Sequence, residues 1–427
     1  MRLNNKTKDK PMRVLWFNTS VPRGYTGGTA IGGGWQDSLQ RAVEELTDWQ
    51  LVIAFEGRGE VRQAGRVTYV PLSVDLSASE RMRSRVSLWP RVEKLAVEAA
   101  RTADRYAPDV IHVFGTEWPF GLVAERTGVP VVVHIQGAML PYDNAFYPPR
   151  YNGLTYAAAW APNVVRWIKY YLTQRRNATR VEVERRVWRA VSNYMGRTAW
   201  DEAVSAIEHP GRRYFHVDEA LRRQFYESPQ QWRGIGDTAT IRIVTVGAGS
   251  MWKGPDMMLK TARLLRQTGV RFEWHLVGRM PNDFRRMVEW KEKARFADSG
   301  IEITGMLGAD SVAKLLAEAT LYVHTSYIDN SPNAVCEAQL MGVPIIATDV
   351  GGVSSLVADK EDGLLVPAND PWRMAYAITT LAADNERMSV FSRRARAKAI
   401  ARHDPHNIIR DLTHCYETLI ADSKHGK

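Results

Sequence analysis

The sequence predicts an α/β protein made of two doubly wound, Rossmann-like domains. Short apolar runs typical of buried strands alternate with helical patterns along the chain, which favours parallel sheets. The chain has 427 residues. Single cores stop growing at roughly 250–300 residues, so two domains are expected. A polar segment at 230–240 is followed at once by a new strand. We therefore place the domains at 1–235 and 236–403.

The N-terminal domain begins with a strand, a glycine-rich loop and a helix. Residues 12–18 predict the strand, the loop contains Gly33 and Gly34, and residues 35–46 predict the helix. Glycines at such a junction allow the backbone to approach a phosphate. The spacing differs from the dinucleotide-binding fingerprint, so a hydride-transfer cofactor is not supported. A plain surface loop is the alternative interpretation.

Polar residues follow two of the later strands of this domain. The further strands are predicted at 51–55, 67–71, 110–114, 129–135 and 191–193. Glu117 follows the third of these, and His134 and Gln136 lie at the end of the fourth. Ligands bind at the carboxyl ends of strands in open parallel sheets, so all three are candidate site residues. A purely structural role is the alternative for each.

The charge of the chain indicates acidic partners. The formal net charge is +10, which suits nucleic acid, an anionic membrane or phosphorylated small molecules. Aromatic residues are concentrated at 142–172, and a basic helical stretch follows up to residue 189. This combination predicts either contact with an anionic interface or a solvated helix face. We find no signal peptide and no apolar window that spans a bilayer, and expect a cytoplasmic protein, peripheral at the inner membrane face.

The C-terminal domain opens with a second strand–glycine–helix unit. A strand is predicted at 241–247, and Lys253 lies in the glycine-rich junction that follows it. A lysine at such a junction can reach a phosphate, although the Walker spacing is absent. Later strands are predicted at 272–277, 301–304, 321–324 and 343–348, and a final amphipathic helix at 404–421.

The helix after the strand at 321–324 has a well-marked start. Ser331 is predicted as its N-cap, with a proline in the next position. The free N–H groups of Asn333 and Ala334 would then point out of the helix end, which favours an anion there.

Two carboxylates flank this helix start. Asp329 precedes the helix, and Glu337 lies four residues beyond Asn333, on the same side. Carboxylates accept hydrogen bonds from hydroxyls while helix amides hold phosphate, so the pattern suits a ligand with a diphosphate and several hydroxyls. The alternative is an ordinary strand–loop–helix with a solvated aspartate.

Four segments in series resemble the retaining glycosyltransferases of family 4, which are group 1 glycosyltransferases with the GT-B architecture. They are Val246-Gly247 with Lys253-Gly254, then 303–307, 329–338 and 342–352. The resemblance implies two Rossmann-like domains that face a central cleft. It also implies that the C-terminal helix, 404–427, crosses back to the N-terminal domain.

The resemblance also assigns roles to residues. It places Asp329 by the donor sugar, Glu337 on the ribose and Lys253 beside the leaving nucleotide. The other donor-binding residues that it implies are Gly33, Gly34, Gly249, Met306, Leu307, Asn330, Asn333 and Ala334. This chain departs from the family at three positions. The first acidic residue is Asp329 rather than glutamate, a usual arginine is Ala248, and a frequent histidine is Gln136.

The activity implied by the resemblance is transfer of a sugar from a UDP- or GDP-linked donor, with retention. The acceptor would be a glycan or lipid-linked molecule in surface polysaccharide biosynthesis. No metal or other cofactor is expected, and no nucleic-acid partner. Two alternatives remain open: a sugar-nucleotide epimerase with the same fold, and a non-enzymatic basic protein that binds nucleotide or nucleic acid.

Overall fold

The structure is a computed structural model that describes residues 10–27, 34–232, 234, 240–247 and 249–425. Two sheets flanked by helices make up the chain. The strands of the first sheet are β1 (Arg13–Asn18), β2 (Gln50–Glu56), β3 (Arg62–Ala64), β4 (Val67–Leu72), β5 (Val110–Phe114), β6 (Val131–His134), β7 (Asn193–Gly196) and β8 (Arg213–His216). Those of the second are β9 (Ile241–Val246), β10 (Phe272–Val277), β11 (Ile301–Gly305), β12 (Leu321–His324), β13 (Ile345–Thr348) and β14 (Leu364–Val366).

Helices connect the strands. In the first part of the chain they are α1 (Arg23–Thr26), α2 (Gly34–Leu46), α3 (Ala78–Arg83), α4 (Trp89–Tyr106), α5 (Met139–Asn144), α6 (Gly153–Ala159), α7 (Val164–Ala190), α8 (Ala199–Glu208) and α9 (Arg223–Tyr226). In the second part they are α10 (Pro255–Gln267), α11 (Asn282–Glu292), α12 (Ala309–Ala317), α13 (Asn333–Met341), α14 (Val353–Leu356), α15 (Pro371–Ala382), α16 (Asn385–Arg402) and α17 (Pro405–Lys424). Short 3₁₀ turns lie at Pro119–Glu125, Met251–Lys253 and Ala297–Ser299.

The strand order of each sheet is that of a doubly wound fold. The first sheet runs β3-β4-β2-β1-β5-β6-β7-β8, with β3 antiparallel to β4 and the other pairs parallel. The second runs β11-β10-β9-β12-β13-β14 in parallel. The order reverses between β1 and β5 and between β9 and β12. Ligands bind beside such reversals, at the carboxyl ends of the strands.

The central strands are buried on both faces, which is why most of their residues are apolar. All five residues of β5 are buried, as are all four of β12 and of β13. Helices cover both sides of a parallel sheet, so a strand with no solvent-facing side needs no alternating polar residues. Runs of this kind were the signal for the predicted strands, and the α/β fold class is confirmed.

Several predicted bounds need correction. Residues 191–193 were predicted as a strand, but Val191 is the C-cap of α7 and β7 begins at Asn193. The short strands β8 and β14 were not predicted, because β8 is only partly buried and β14 has three residues. The basic stretch lies within α7 together with the last part of the aromatic stretch, whereas the aromatic residues before position 164 lie in or beside α5 and α6.

The last helix returns to the first sheet. Apolar residues of α17, among them Ile408 and Leu412, lie in one core cluster with Trp16 of β1. Tyr416 of α17 accepts a hydrogen bond from Trp16 Nε1 at 3.0 Å, and its hydroxyl lies 2.6 Å from His112 Nδ1. The chain therefore ends on the domain where it began.

A segment between β6 and β7 crosses in the opposite direction. Tyr151 and Tyr156 lie in the core cluster of the second sheet. Tyr156 donates a hydrogen bond to Asp283 at 3.0 Å, and Tyr151 donates one to Glu292 at 2.7 Å. Both acids belong to α11, so this segment is a second connection between the two domains. No helix in the described ranges is both long and apolar enough to span a bilayer.

Candidate functional site

Lys253 and Asp329 meet where the strand order of the second sheet reverses. Lys253 ends the turn that follows β9, and Asp329 lies in the loop that follows β12. Lys253 Nζ is 2.5 Å from Asp329 Oδ2. The same carboxylate oxygen accepts a hydrogen bond from Ser326 Oγ at 3.1 Å and lies 2.9 Å from His324 Nε2. The reversal thus holds a cation and a carboxylate in contact.

The surroundings keep Asp329 ionised. Burial alone would raise the pKa of this carboxyl group, since only 6% of Asp329 is exposed. The charge of Lys253 and the hydrogen bond with His324 outweigh burial and hold the pKa well below its usual range. Asp329 is therefore an acceptor for ligand hydroxyl groups at neutral pH.

Glycines allow the two loops to pack against each other. Gly254 has a φ of +71°, and a Cβ there would lie 2.0 Å from the carbonyl oxygen of Thr325. Gly351 has a φ of +53°, and a Cβ there would lie 1.9 Å from the carbonyl oxygen of Asp329. Any side chain at either position would displace the backbone that carries Lys253 or Asp329.

The helix after Asp329 starts one residue later than the N-cap prediction. Pro332 is the N-cap of α13, and it offers no side-chain cap. Ser331 was predicted as the cap, but its hydroxyl donates instead to Glu219 Oε1 at 2.9 Å. Asn333 and Ala334 remain the first helical residues, so their N–H groups precede the intrahelical hydrogen bonds. The expected anion-binding end of α13 therefore keeps the amides that were predicted for it.

Arg222 holds the second acidic residue of the motif. Its Nε and Nη2 atoms donate to Glu337 Oε1 and Oε2, both at 2.7 Å. Glu337 is buried, and burial raises the pKa of its carboxyl group against the lowering effect of Arg222. Sequence reasoning missed Arg222, which lies 115 residues from Glu337 and in no recognisable motif.

The N-terminal domain reaches the same helix end. A Cβ on Gly34, the first residue of α2, would lie 3.7 Å from Asn333 Nδ2. Asn330 Oδ1 accepts a hydrogen bond from Thr198 at 3.0 Å, and its backbone N–H donates to the Tyr142 hydroxyl at 3.1 Å. Three predicted donor-side residues, Gly34, Asn330 and Asn333, thus lie on the boundary between the domains. Gly33 lies outside the described residues.

The remaining donor-side candidates follow two strands of the second sheet, β9 and β11, which lie on either side of β10. Met306 follows β11 and is 56% exposed, whereas Leu307 is partly buried against the core. Gly249 follows β9 and is exposed, and a Cβ there would lie 3.9 Å from the Arg279 carbonyl oxygen. These positions leave Met306 and Gly249 free to contact a ligand.

The three acceptor-side candidates have different surroundings. His134 is fully buried, with its ring 4.7 Å from that of Trp35, and burial lowers its pKa well below the usual value. Burial raises the pKa of Glu117 to about 7. Gln136 is partly exposed, and its carbonyl oxygen accepts a hydrogen bond from Arg197 at 3.1 Å. Glu117 and Gln136 are thus partly exposed residues whose polar side-chain ends are buried, whereas His134 is buried throughout.

Several buried polar atoms at these strand and helix ends have no hydrogen-bond partner among the described residues. They are Asn18 Oδ1, Glu117 Oε2, Gln136 Nε2, Asn330 Nδ2 and Asn333 Oδ1. Leaving a buried polar group unpaired costs about 1–3 kcal/mol. Both sheets contribute to the set, so it indicates a polar ligand between the domains.

One buried cluster in the described part of the chain resembles a metal site in composition. It consists of Glu219, Cys336 and His403. The Cys336 thiol donates to Glu219 Oε1 at 3.0 Å, and burial first, then Glu219, raises its pKa well above the usual value. Glu219 also lies within 4 Å of the guanidinium groups of Arg197 and Arg402. A protonated thiol and two cations do not suit a metal ion, and the cluster instead joins the two domains.

Residues 240–384 match the family described as Glycosyl transferases group 1. This part of the chain is a group 1 glycosyl transferase domain. The matched range contains Lys253, Asp329 and Glu337. The resemblance to group 1 glycosyltransferases that the motifs indicated is confirmed.

The relatives agree with this assignment. WcaL of Escherichia coli K12, which carries the name "Putative colanic acid biosynthesis glycosyltransferase", is 25% identical over 186 residues, which are 42% of this chain and 45% of WcaL. The chain thus spans less than half the length of the curated relatives it matches.

Solved structures show the fold. Sucrose-phosphate synthase from Thermosynechococcus elongatus superposes with a TM-score of 0.70 at 16% identity, covering 96% of this chain and 99% of that one. HepE of Anabaena, in complex with UDP and glucose, superposes with a TM-score of 0.65 at 16% identity, covering 95% and 99%. The predicted GT-B architecture is confirmed.

Proposed function

We propose that the chain transfers a sugar from a nucleotide-sugar donor, with retention at the anomeric carbon, onto a glycan or lipid-linked acceptor in surface polysaccharide biosynthesis. The observation that carries this proposal is the contact of Lys253 with Asp329 beside the start of α13. It gathers a cation, an ionised carboxylate and free amides at one point. WcaL, by its name, supports the polysaccharide setting, and the UDP and glucose bound to HepE support the donor class.

Each group has a part in the proposed reaction. The donor diphosphate binds the N–H groups of Asn333 and Ala334, and Asp329 accepts hydrogen bonds from the sugar. The bond from the anomeric carbon to the phosphate oxygen breaks, and the acceptor oxygen bonds to that carbon on the same face. The acceptor proton passes to the departing phosphate oxygen. Lys253 stabilises the negative charge that develops there.

The proposed reaction uses no metal and no other cofactor, because Lys253 and the helix amides supply the positive charge. We propose a cytoplasmic enzyme with peripheral contact at an anionic membrane, and no nucleic-acid partner. The nucleotide of the donor is UDP or GDP, and donors of both kinds are included in the test.

The proposal is tested by incubating the protein with UDP- and GDP-sugars in the presence and absence of oligosaccharide and lipid-linked acceptors. Nucleotide release and the glycosylated product are measured, with EDTA present in a parallel series. We expect acceptor-dependent nucleotide release, unchanged by EDTA, and a product whose anomeric configuration by NMR is that of the donor.

Other outcomes would decide against the proposal. An acceptor-independent change in the configuration of the donor sugar would identify an epimerase. Tight binding of nucleic acid without affinity for any nucleotide sugar would identify a binding protein. A product of inverted configuration would contradict retention but would still support glycosyl transfer.

A further inference from the structure

The first half of α7 exposes an apolar face that no other part of the described chain covers. Its members are Val164, Val165, Trp167, Ile168 and Tyr171, each at least 47% exposed. Solvent-exposed side chains of this size normally occur singly, so five within eight positions of one helix mark a contact surface. We refer to these five residues as the α7 face.

The helix is anchored on its other side. Val164, Ile168 and Tyr171 are four and three positions apart, so they lie in one row. Arg166 lies opposite this row and forms an ion pair with Asp283 of the second domain. The α7 face therefore points away from the protein, because the opposite side of the helix contacts the second domain through Arg166.

The surroundings of the α7 face are strongly basic. Residues 144–181 contain six arginine and lysine residues and no aspartate or glutamate. Lys169, Arg175 and Arg176 of α7 are exposed, and none of them forms an ion pair with a described residue. Arg175 continues the row of Val164, Ile168 and Tyr171, whereas Lys169 and Arg176 lie with Val165 in a row that flanks it.

We propose that the α7 face docks onto an anionic lipid bilayer. An apolar row with lysine and arginine beside it suits the boundary between acyl chains and acidic headgroups. A second copy of the chain in a two-fold contact would set the same cations against each other. Nucleic acid or an acidic protein surface would engage the cations but leave the apolar side chains in water.

The same helix is joined to the candidate site. Glu184, in the buried half of α7, accepts hydrogen bonds from the N–H groups of Met139 and Leu140 at 2.8 and 2.9 Å. These residues begin α5, whose Tyr142 contacts the backbone of Asn330. Docking through α7 would therefore place the cleft at the membrane surface. This step rests on the proposed function with a lipid-linked acceptor, whereas the docking itself does not.

The test is co-sedimentation of the full chain, without donor, with vesicles of phosphatidylcholine alone or mixed with phosphatidylglycerol. We expect binding to the mixed vesicles only. The triple variant Lys169→Gln, Arg175→Gln, Arg176→Gln should weaken binding about fivefold for each cation removed. The double variant Trp167→Ser, Ile168→Ser should weaken it about tenfold or more.

The matched control is Trp372→Ser with Tyr376→Ser on α15, since these two side chains are each 69% exposed. It should bind vesicles like the unaltered chain. Equal binding to both kinds of vesicle, or retained binding by the α7 variants, would overturn the proposal. So would a dimer in solution that the Trp167 and Ile168 substitutions abolish. Transfer to a soluble acceptor without vesicle binding would overturn the docking proposal but not the proposed function. Vesicle binding without transfer would support the docking proposal and contradict the proposed function.

Discussion

Lys253 and Asp329 lie in contact across the ends of β9 and β12, with Nζ 2.5 Å from Oδ2. Asp329 is almost fully buried, whereas a quarter of the Lys253 side chain is exposed, at 27%. Lys253 therefore keeps part of its side chain accessible to a ligand while it is held by a buried carboxylate. In this position Lys253 needs little reorganisation to meet an arriving phosphate, which is how preorganised charge lowers a barrier.

Substitution of this lysine tests its role in the reaction. Losing one charge-assisted hydrogen bond costs about 1.5–3 kcal/mol. We expect Lys253→Ala to slow transfer by roughly tenfold to a few hundredfold. Single-turnover rates at saturating donor provide the measurement, and Lys360→Ala is the control because that side chain is 76% exposed. Unchanged turnover in Lys253→Ala would remove Lys253 from the mechanism.

The packing of Gly351 against Asp329 predicts a large cost for a small change. Gly351→Ala would bring Cβ to 1.9 Å from the Asp329 carbonyl oxygen, which is backbone and cannot rotate away. We expect it to lower the free energy of unfolding by about 3 kcal/mol and to impair transfer. Gly65→Ala is the matched control, since Gly65 has a similar φ of +57° and no atom near the added Cβ. Equal losses in the two variants would show that backbone strain alone matters.

Arg222 is expected to stabilise the fold through Glu337. Arg222→Ala would leave a buried carboxyl group without its counter-ion, and breaking a buried pair costs about 3–5 kcal/mol. Because 28% of the Arg222 side chain is exposed, we expect the lower end of that range in urea unfolding. Arg222→Lys should recover part of the loss, since lysine cannot form the two-pronged contact. The adjacent Arg223→Ala breaks an exposed pair and should leave stability unchanged.

Local sequence patterns were sufficient to predict most of the fold and the site residues of the C-terminal domain. The strands β5, β10 and β12 were predicted to the residue, because β5 and β12 are buried throughout and β10 buries Trp274, Leu276 and Val277. Asp329 and Glu337 were found through their spacing around a helix start. Strands and helix starts of this kind are determined by residues close together in the sequence, so they can be predicted from it.

Features that depend on distant contacts were not visible in this way. Arg222 acts on a residue 115 positions away, and Glu219 draws Ser331 out of its expected capping role. The exposure of the α7 face depends on which parts of the folded chain pack against α7. The sequence shows that this part of α7 is apolar. Whether those apolar side chains are buried or exposed depends on tertiary contacts.

Glu117 should make stability depend on pH. Its pKa in the folded chain is about 7, against an ordinary value of 4.5. Between these two pH values the unfolded chain loses the proton while the folded chain keeps it, so this residue lowers stability as pH rises. Relative to Glu117→Gln, the unaltered chain should lose up to about 3 kcal/mol between pH 4.5 and 7. Urea unfolding of both proteins across that range measures the difference, and parallel curves would contradict the prediction.

The last prediction concerns the choice of donor sugar at Asp329. Lys253, His324 and Ser326 all approach one oxygen of its carboxylate, so the site is built around the shorter side chain. Asp329→Glu would place the carboxylate about 1.5 Å further from the backbone, at a packing cost of about 1–3 kcal/mol. We expect the ratio of kcat/KM for two donor sugars that differ at one hydroxyl to change at least tenfold. Asp298→Glu, at an exposed position, should leave that ratio as it was. A preference unaltered by Asp329→Glu would place sugar selection elsewhere in the cleft.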